Sequence, residues 1–450
     1  MIAASGLELR AGAELLVEQA SCRVGPGDRI GLVGRNGAGK TTLMRVLAGE
    51  RQPAGGSVQA TGTVGYLPQD PAEGDQDVVA LDRILSSRGL DRLTRRLDQA
   101  QALMSSPDPD QMSLGIDQYA KVEARFEAAG GYGAKAEAAR IAANLGLDQR
   151  TLGQTLGTLS GGQRRRVELA RILFQGADVL LLDEPTNHLD QDSIRWLRDF
   201  LRAYGGGFMV ISHDAALLAD TVTRVLYLDA RRRRLDQYNL GWAAYLEQRE
   251  TDERRRRRER ANAEKKAAAL TAQANKMRAK ATKAVAAQNM LKRADRLIEG
   301  THAAAGREKV AAIRFPDPAA SGKTPLSAQG LSKSYGSLEV FADVDLAVDR
   351  GSRVVVLGLN GAGKTTMLRL LAGLEAPDTG RVIPGHGLKL GYYAQEHETL
   401  DLDRTVLENM ASAAPDLDAT EVRKILGSFL FSGESVFKPT RVLSGGEKTR

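Results

Sequence analysis

The 450-residue chain is short of several things, and each shortage excludes a class of protein. It has one cysteine, Cys22, so a disulfide framework is impossible. The lone thiol fits a reducing compartment and reads as a small core residue. No apolar run approaches the ~18 residues that a membrane-spanning helix requires. The first residues, Met1-Ile2-Ala3-Ala4-Ser5-Gly6, lack the charged start and apolar stretch of a secretory signal. Together these features predict a cytoplasmic protein. Aromatic residues make up only 5% of the chain, and none lies between Leu246 and Arg314. A segment without aromatic rings cannot read nucleic-acid bases by stacking.

What is present is informative. Hydrophobic residues make up 42%, enough for a globular chain of two or three domains. The net charge is +7, but its distribution matters more than its size. From Arg249 through Lys309 there are 18 Lys/Arg and 8 Asp/Glu, so that segment carries about +10 and the remainder about −3.

One stretch organises the chain: Gly34-Arg35-Asn36-Gly37-Ala38-Gly39-Lys40-Thr41-Thr42. It recurs as Gly358-Leu359-Asn360-Gly361-Ala362-Gly363-Lys364-Thr365-Thr366. Both copies match the phosphate-binding loop, or P-loop, G-x-x-x-x-G-K-[ST]. Each follows an apolar run that reads as a buried strand, Arg29–Val33 and Arg353–Leu357, and each precedes a helix-like segment. Glycines let backbone N–H groups close round phosphate oxygens, and the helix N-terminus adds its positive dipole end. Lys40 and Lys364 would reach the β- and γ-phosphates. Thr41 and Thr365 would hold Mg²⁺ through their hydroxyls.

Residues Gly6 to Gly34 and Gly330 to Gly358 align without a gap at an offset of 324, which marks a whole-domain duplication. A short strand ending in glutamine follows each P-loop helix: Gly65-Tyr66-Leu67-Pro68-Gln69 and Gly391-Tyr392-Tyr393-Ala394-Gln395. Either glutamine could reach Mg²⁺ and the attacking water. Next come Leu159-Ser160-Gly161-Gly162-Gln163 and Leu443-Ser444-Gly445-Gly446-Glu447, each opening a helix and so forming a second anion-binding N-terminus.

A P-loop, a glutamine loop and an LSGGQ signature together resemble the ATP-binding cassette (ABC) ATPases. The resemblance makes Asp178–Glu184 a Walker B strand, with Asp183 binding Mg²⁺ mostly through water and Glu184 as the general base for the attacking water. It puts Asp190 in the D-loop and makes His213, after the strand Met209–Ser212, the switch histidine. The other histidines read as structural. The fold expected is α/β, two P-loop ABC cassettes. The domains expected are 1–245 and 325–450, with a basic helical linker at 246–314.

The first cassette carries 42 extra residues between its glutamine and its signature: 91 positions against 49. They fall within about 87–132, where apolar patches split by Pro107-Asp108-Pro109 predict an inserted helical hairpin, or arm. In the linker, Leu270, Met277, Ala284, Leu291 and Ile298 recur every seven residues, predicting two packed helices with a thin apolar seam. The tip is expected near Lys280–Ala286, with Thr282 capping the second helix.

Two cassettes, no membrane segment and a basic helical linker resemble the ABC-F family, whose members bind the ribosome. The resemblance implies ATP and Mg²⁺ as cofactors, rRNA and tRNA as partners, and cassettes that pair within one chain, hence a monomer. It implies that Ser444, Gly445 and Gly446 cover the first P-loop, and that Ser160, Gly161 and Gly162 cover the second. Arg278, Lys280, Lys283, Lys292 and Arg293 match the tRNA-facing interdomain motif. The arm would contact ribosomal parts near the tRNA exit side. A role in translation or in antibiotic resistance is open on these residues.

Two departures from the family stand out. Tyr335 sits where an aromatic stacks on adenine, whereas the matching first-domain residue is Ala11. By the 284-residue offset between signatures, a second Walker B would fall about 20 residues past Arg450, so the second cassette is expected to be incomplete. Other classes remain: a soluble ATPase subunit energising a membrane transporter, or a DNA-binding repair ATPase.

Overall fold

The computed structural model describes residues 1–12, 14–69, 76–128, 130–278, 284–299, 320–336, 338–358, 361–394, 400–443 and 445–449. The chain divides into two compact units, Met1–Ala305 and Gly306–Arg450.

The first unit begins with β1 (Ile2–Ala11), β2 (Glu14–Val24), β3 (Arg29–Gly34), α1 (Lys40–Leu47), β4 (Gly55–Ala60) and β5 (Val64–Leu67). A helical region follows: α2 (Ala80–Leu85), α3 (Leu90–Met104), α4 (Pro109–Ala128), α5 (Gly131–Asn144), α6 (Gln149–Leu152) and α7 (Gly161–Gln175). Then come β6 (Val179–Asp183), α8 (Gln191–Ala203), β7 (Gly207–Ile211), α9 (Ala215–Thr221), β8 (Arg224–Asp229) and β9 (Arg234–Tyr238). The linker helices are α10 (Trp242–Arg278) and α11 (Ala284–Glu299).

Strands β2-β1-β4 form an antiparallel sheet, and β5-β6-β7-β3-β8-β9 form a six-stranded sheet that is parallel except at β9. The parallel strands read as unbroken apolar runs because both faces are covered. Along β6, Val179 and Leu181 join the core that faces α1 and β1–β2. Leu180 and Leu182 join the core built by the helices on the other face. This period-two split fixes the register. Gly34 lets β3 lie close to β8, since a Cβ there would meet the Leu228 carbonyl oxygen at 2.7 Å. Cys22 is buried in β2, and burial pushes its thiol up to about 11.

Helices α3 and α4 form the inserted hairpin. Pro109 opens α4 at a position where a missing N–H is harmless. Gly115 permits the close crossing, because a Cβ there would lie 2.6 Å from the Met104 nitrogen.

The root of the linker is locked into the cassette. Tyr245 is fully buried against Tyr238, with ring centroids 5.1 Å apart, and the Arg249 guanidinium lies 4.3 Å from the Tyr227 ring centroid. Along α10 and α11 the seam differs from the seven-residue series. Leu270 and Leu291 are only half-buried, while Ala267, Ala274 and Ala294 are 0–1% exposed. Small side chains let the two backbones approach, so alanines occupy the centre of the contact and the leucines flank it. The three-and-four spacing Ala263, Ala267, Leu270, Ala274 carried that signal. The side chains of Met277, Ala284 and Ile298, the tip with Thr282, and residues 300–314 lie outside the described residues.

The second unit holds β10 (Leu326–Tyr335), β11 (Leu338–Val348), α12 (Lys364–Leu371), β12 (Thr379–Pro384), α13 (Val406–Ala413), α14 (Ala419–Ser428) and α15 (Gly445–Thr449). The duplication reaches into the backbone. Left-handed residues recur at the same offset: Gly6 and Gly330 (φ 59° each), Gln19 and Asp343 (50° each), Gly56 and Gly380 (82° and 80°).

One expectation fails here. Arg353–Leu357 is not a strand, and Val354, Val355, Val356 and Leu357 are 42–86% exposed. Residues 391–394 are also irregular, and Gln395 lies outside the described residues. The reason is non-local. In the first unit β3 is held between β7 and β8, and β5 pairs with β6, all of which follow the signature. No residues within the 450 supply their counterparts after the second signature.

Candidate functional site

The site lies at the C-terminal edge of the six-stranded sheet, where ligands bind in open α/β folds. Adjacent strands β3, β7, β6 and β5 end in the P-loop, His213, Asp183-Glu184 and Gln69 respectively.

The P-loop is shaped by Gly37 and Gly39, with φ of 77° and 96°. A Cβ on Gly39 would also lie 2.9 Å from a Leu16 methyl, so both space and conformation demand glycine. Gly39 caps α1, leaving the free N–H groups of that helix facing the loop. Arg35, Asn36 and Gly37 are exposed, and Ala38 is buried beneath them. The Lys40 ammonium donates to the carbonyl oxygens of Gly34 (2.9 Å) and Arg35 (3.0 Å), spanning its own loop. Burial lowers its pKa, opposed by the charges of Glu184 and Asp183. Thr42 is half-buried in the first turn.

Asp183 is 1% exposed, and burial raises its carboxyl pKa against a hydrogen bond from Thr41. Its Oδ2 is buried and has no hydrogen-bond partner. A buried carboxylate oxygen left open beside a threonine hydroxyl and a phosphate loop suits a hard cation. Mg²⁺ takes one or two protein oxygens and completes its shell with water and phosphate. Accordingly, no cluster of three or more His, Cys, Asp or Glu side chains is needed, and none occurs among the described residues.

Glu184 is 6% exposed and adopts φ 50°, a left-handed conformation uncommon for a non-glycine residue. Burial raises its pKa, while the neighbouring His213 opposes the rise. Its Oε2 accepts from the His213 amide at 3.3 Å, and its Oε1 lies 3.3 Å from His213 Nε2. Gln69 is exposed two residues after β5.

Ser160 caps α7. Its hydroxyl accepts from the Gln163 amide at 3.2 Å, and the Gln163 side chain accepts from the Ser160 amide at 2.9 Å. This capping box explains why Gln follows Ser-Gly-Gly in one copy and Glu in the other. Gly161 and Gly162 form the first turn, with the His188 side chain against Gly162. Asp190 caps α8, accepting from the Ser193 amide at 2.9 Å.

In the second unit Lys364 donates to the Gly358 carbonyl at 2.8 Å, repeating the Lys40 contact. Gly361, Ala362 and Thr365 are exposed, and Gly363, Lys364 and Thr366 are half-buried. Leu359, Asn360 and Ser444 lie outside the described residues; Gly445 and Gly446 open α15. Tyr335 is exposed at the end of β10, its hydroxyl donating to Glu375 at 2.6 Å. Ala11 occupies the matching end of β1.

On the linker, Lys292 and Arg293 are exposed on α11; the side chain of Arg278, and Lys280 and Lys283, lie outside the described residues. The positive charge is not spread evenly. From Leu246 to Glu264 seven Lys/Arg face six Asp/Glu; from Lys265 to Glu299 nine face two. The arginine run belongs to the balanced half. Arg254, Arg257 and Arg260 pair with Glu250, Glu253 and Glu264, each four residues away.

The sequence reading passed over Arg165. It stands on the same helix face as Leu169 and Ile172, yet donates to the Asp183 and Glu184 carbonyls at 2.9 and 3.0 Å. An arginine at apolar spacing within the signature helix was the available signal.

Comparison with known proteins agrees with this geometry. The ABC transporter family profile matches residues 17–187 and 341–450, and a second ABC transporter profile matches 228–315. The chain is 33% identical over 455 residues to the "Probable ATP-binding protein YheS" of Escherichia coli K12, covering 100% of this chain and 69% of that protein. It is 34% identical over 435 residues to the "Energy-dependent translational throttle protein EttA" of Haemophilus influenzae, covering 94% and 76%. It is 31% identical over 437 residues to the "ABC transporter F family member 5" of Arabidopsis thaliana, covering 94% and 62%. No helix among the described residues is long and apolar enough to cross a membrane. With two P-loops, two signature sequences and a buried Asp-Glu pair beside the first loop, the chain is an ATPase of the ABC-F family of ATP-binding cassette proteins.

Proposed function

We propose that this chain is a cytoplasmic translation factor that binds the ribosome through its linker and uses ATP to set the linker's position. The observation that carries the reading is the charge of the hairpin. Its root is nearly balanced and anchored by Tyr245, whereas its distal half carries nine Lys/Arg against two Asp/Glu and no aromatic ring. Such a surface meets phosphates and helix shape, not bases, and its affinity falls with salt through counterion release. The throttle protein named above supports translation as the process.

ATP would lie on the P-loop, with Lys40 on the β- and γ-phosphates. Mg²⁺, held by Thr41 and, through water, by Asp183 and Gln69, would neutralise phosphate charge. Glu184 would orient water and accept its proton, with His213 beside it. Lys364, Thr365 and Tyr335 would serve a second nucleotide, and the helix starts at Ser160, Gly161 and Gly162 and at Ser444, Gly445 and Gly446 would add donors for phosphate. Phosphoryl transfer needs mainly positioning and charge stabilisation, which these groups supply.

Ribosome co-sedimentation tests the reading. The chain should pellet with ribosomes when ATP is present, more so for Glu184→Gln, and less as salt rises. Equal pelleting with and without ATP for both forms would refute it.

A further inference from the structure

Among the described residues, no other Lys or Arg is buried as deeply as Arg165, which is 6% exposed. Its guanidinium is aimed at main-chain carbonyls of two other segments. Nη1 donates to Pro68, one residue before Gln69, at 3.3 Å; Nη2 donates to Asp183 and Glu184 at 2.9 and 3.0 Å. The planar fork of arginine suits this task, because one rigid group fixes the distance between its acceptors.

What it holds includes a residue in an unfavourable backbone conformation. Glu184 stands at φ 50°, a conformation that persists only where its surroundings over-determine it. One restraint is the Glu184 amide, which donates to the Ile211 carbonyl at 2.9 Å. Arg165 supplies another from the carbonyl side of the same peptide unit, through the Asp183 oxygen.

We propose that Arg165 is a positioning residue for hydrolysis: it ties the signature helix to the main chain of the general base and of the glutamine segment. The proposal rests on the reading of Glu184 as that base. Because Arg165 rides in the second turn of α7, displacement of the helix end bearing Ser160, Gly161 and Gly162 is passed to Glu184. At the 284-residue offset the second signature helix carries Thr449, whose short side chain has no fork of donors.

The test uses the whole chain with Arg165→Met, Arg165→Lys and, as a control, Arg88→Met. Arg88 also packs on α7, over the Phe174 ring and paired with Glu137, and makes no hydrogen bond or ion pair with Asp183 or Glu184. Arg165→Met should lower kcat about 10- to 100-fold, the loss expected from a misplaced catalytic group. The dissociation constant for a fluorescent ATP analogue should stay within about twofold, since the P-loop is untouched. Arg165→Lys should recover part of kcat. Arg88→Met should lower the melting temperature and leave kcat unchanged. Amide exchange should quicken at Glu184 and His213 in Arg165→Met only. Unchanged kcat and exchange in Arg165→Met would overturn the proposal, as would the same losses in Arg88→Met. If the unmutated chain turned over no ATP, the reading of Glu184 would fall, and the exchange data would still decide whether Arg165 holds its main chain.

Discussion

In the first cassette the strand leading to the P-loop, Arg29–Gly34, is enclosed between β7 and β8. In the second the matching residues Val354–Leu357 are open to solvent. The described parts of the two P-loops nevertheless share a contact: both lysines reach back to the first glycine's carbonyl, at 2.9 and 2.8 Å. The difference separates what is local from what is not. Turn glycines and a helix N-cap build the loop by themselves. A parallel strand exists only if distant residues arrive to pair with it. The cores show the same contrast. The first cassette has one large cluster on each face of a single sheet. The described residues of the second have a small cluster under β10–β12 and another among α13 and α14.

The largest expected effect concerns catalysis. Glu184→Gln should lower ATP turnover about 10²- to 10⁴-fold, the range for loss of a general base. Steady-state phosphate release measures it. If half the activity survived, the second site would be hydrolysing ATP without an Asp-Glu pair in the present sequence, and the contrast would break.

The next concerns stability. Leu180→Ala, in the fully buried centre of β6, should cost about 2–5 kcal/mol. Val355→Ala, at a position 76% exposed, should stay within about 0.5 kcal/mol. Denaturant unfolding of both variants would show whether the second run is as unsupported as its exposure says.

A smaller effect is pH-linked. Glu168 is half-buried; desolvation raises its pKa, but the hydrogen bond from Arg83 and the charge of Arg171 outweigh it and hold the carboxyl below its ordinary value. A depressed carboxylate stabilises the fold above its unfolded pKa of about 4.3 and loses that contribution as pH falls through the folded value. Glu168→Gln should therefore melt earlier at pH 7 and flatten the acid limb of a melting profile. Glu184 has the opposite sign. Its raised pKa makes the charged form a burden at neutral pH, so Glu184→Gln without nucleotide should melt slightly later.

The smallest expected effect sharpens the comparison at adenine. Ala11→Tyr should tighten ATP binding at the first site by about 1 kcal/mol, near the usual yield of an aromatic stack. A titration with a fluorescent nucleotide would detect it.

The first cassette was largely readable from sequence because its site consists of short motifs whose chemistry dictates residue type. Lys40 opens α1, Asp183 ends β6, and Glu184 and His213 follow closely on the ends of β6 and β7. What escaped depends on geometry across segments. Arg165 looks like a surface charge until its three carbonyl partners are seen. Ala267, Ala274 and Ala294 look like helix filler until a second helix lies against them. The Val354–Leu357 run carried a strand's composition but not its partners.

That exposed run has a practical consequence. Val354-Val355-Val356-Leu357, three β-branched residues and a leucine, is uncharged and free of proline, the composition that seeds cross-β stacking when left unpaired. Only Arg353 guards one end as a gatekeeper, and Gly358 on the other side offers no charge. Preparations of this chain should therefore lose soluble protein with an order above one in concentration. A lysine at Val355 should slow that loss without touching either nucleotide loop.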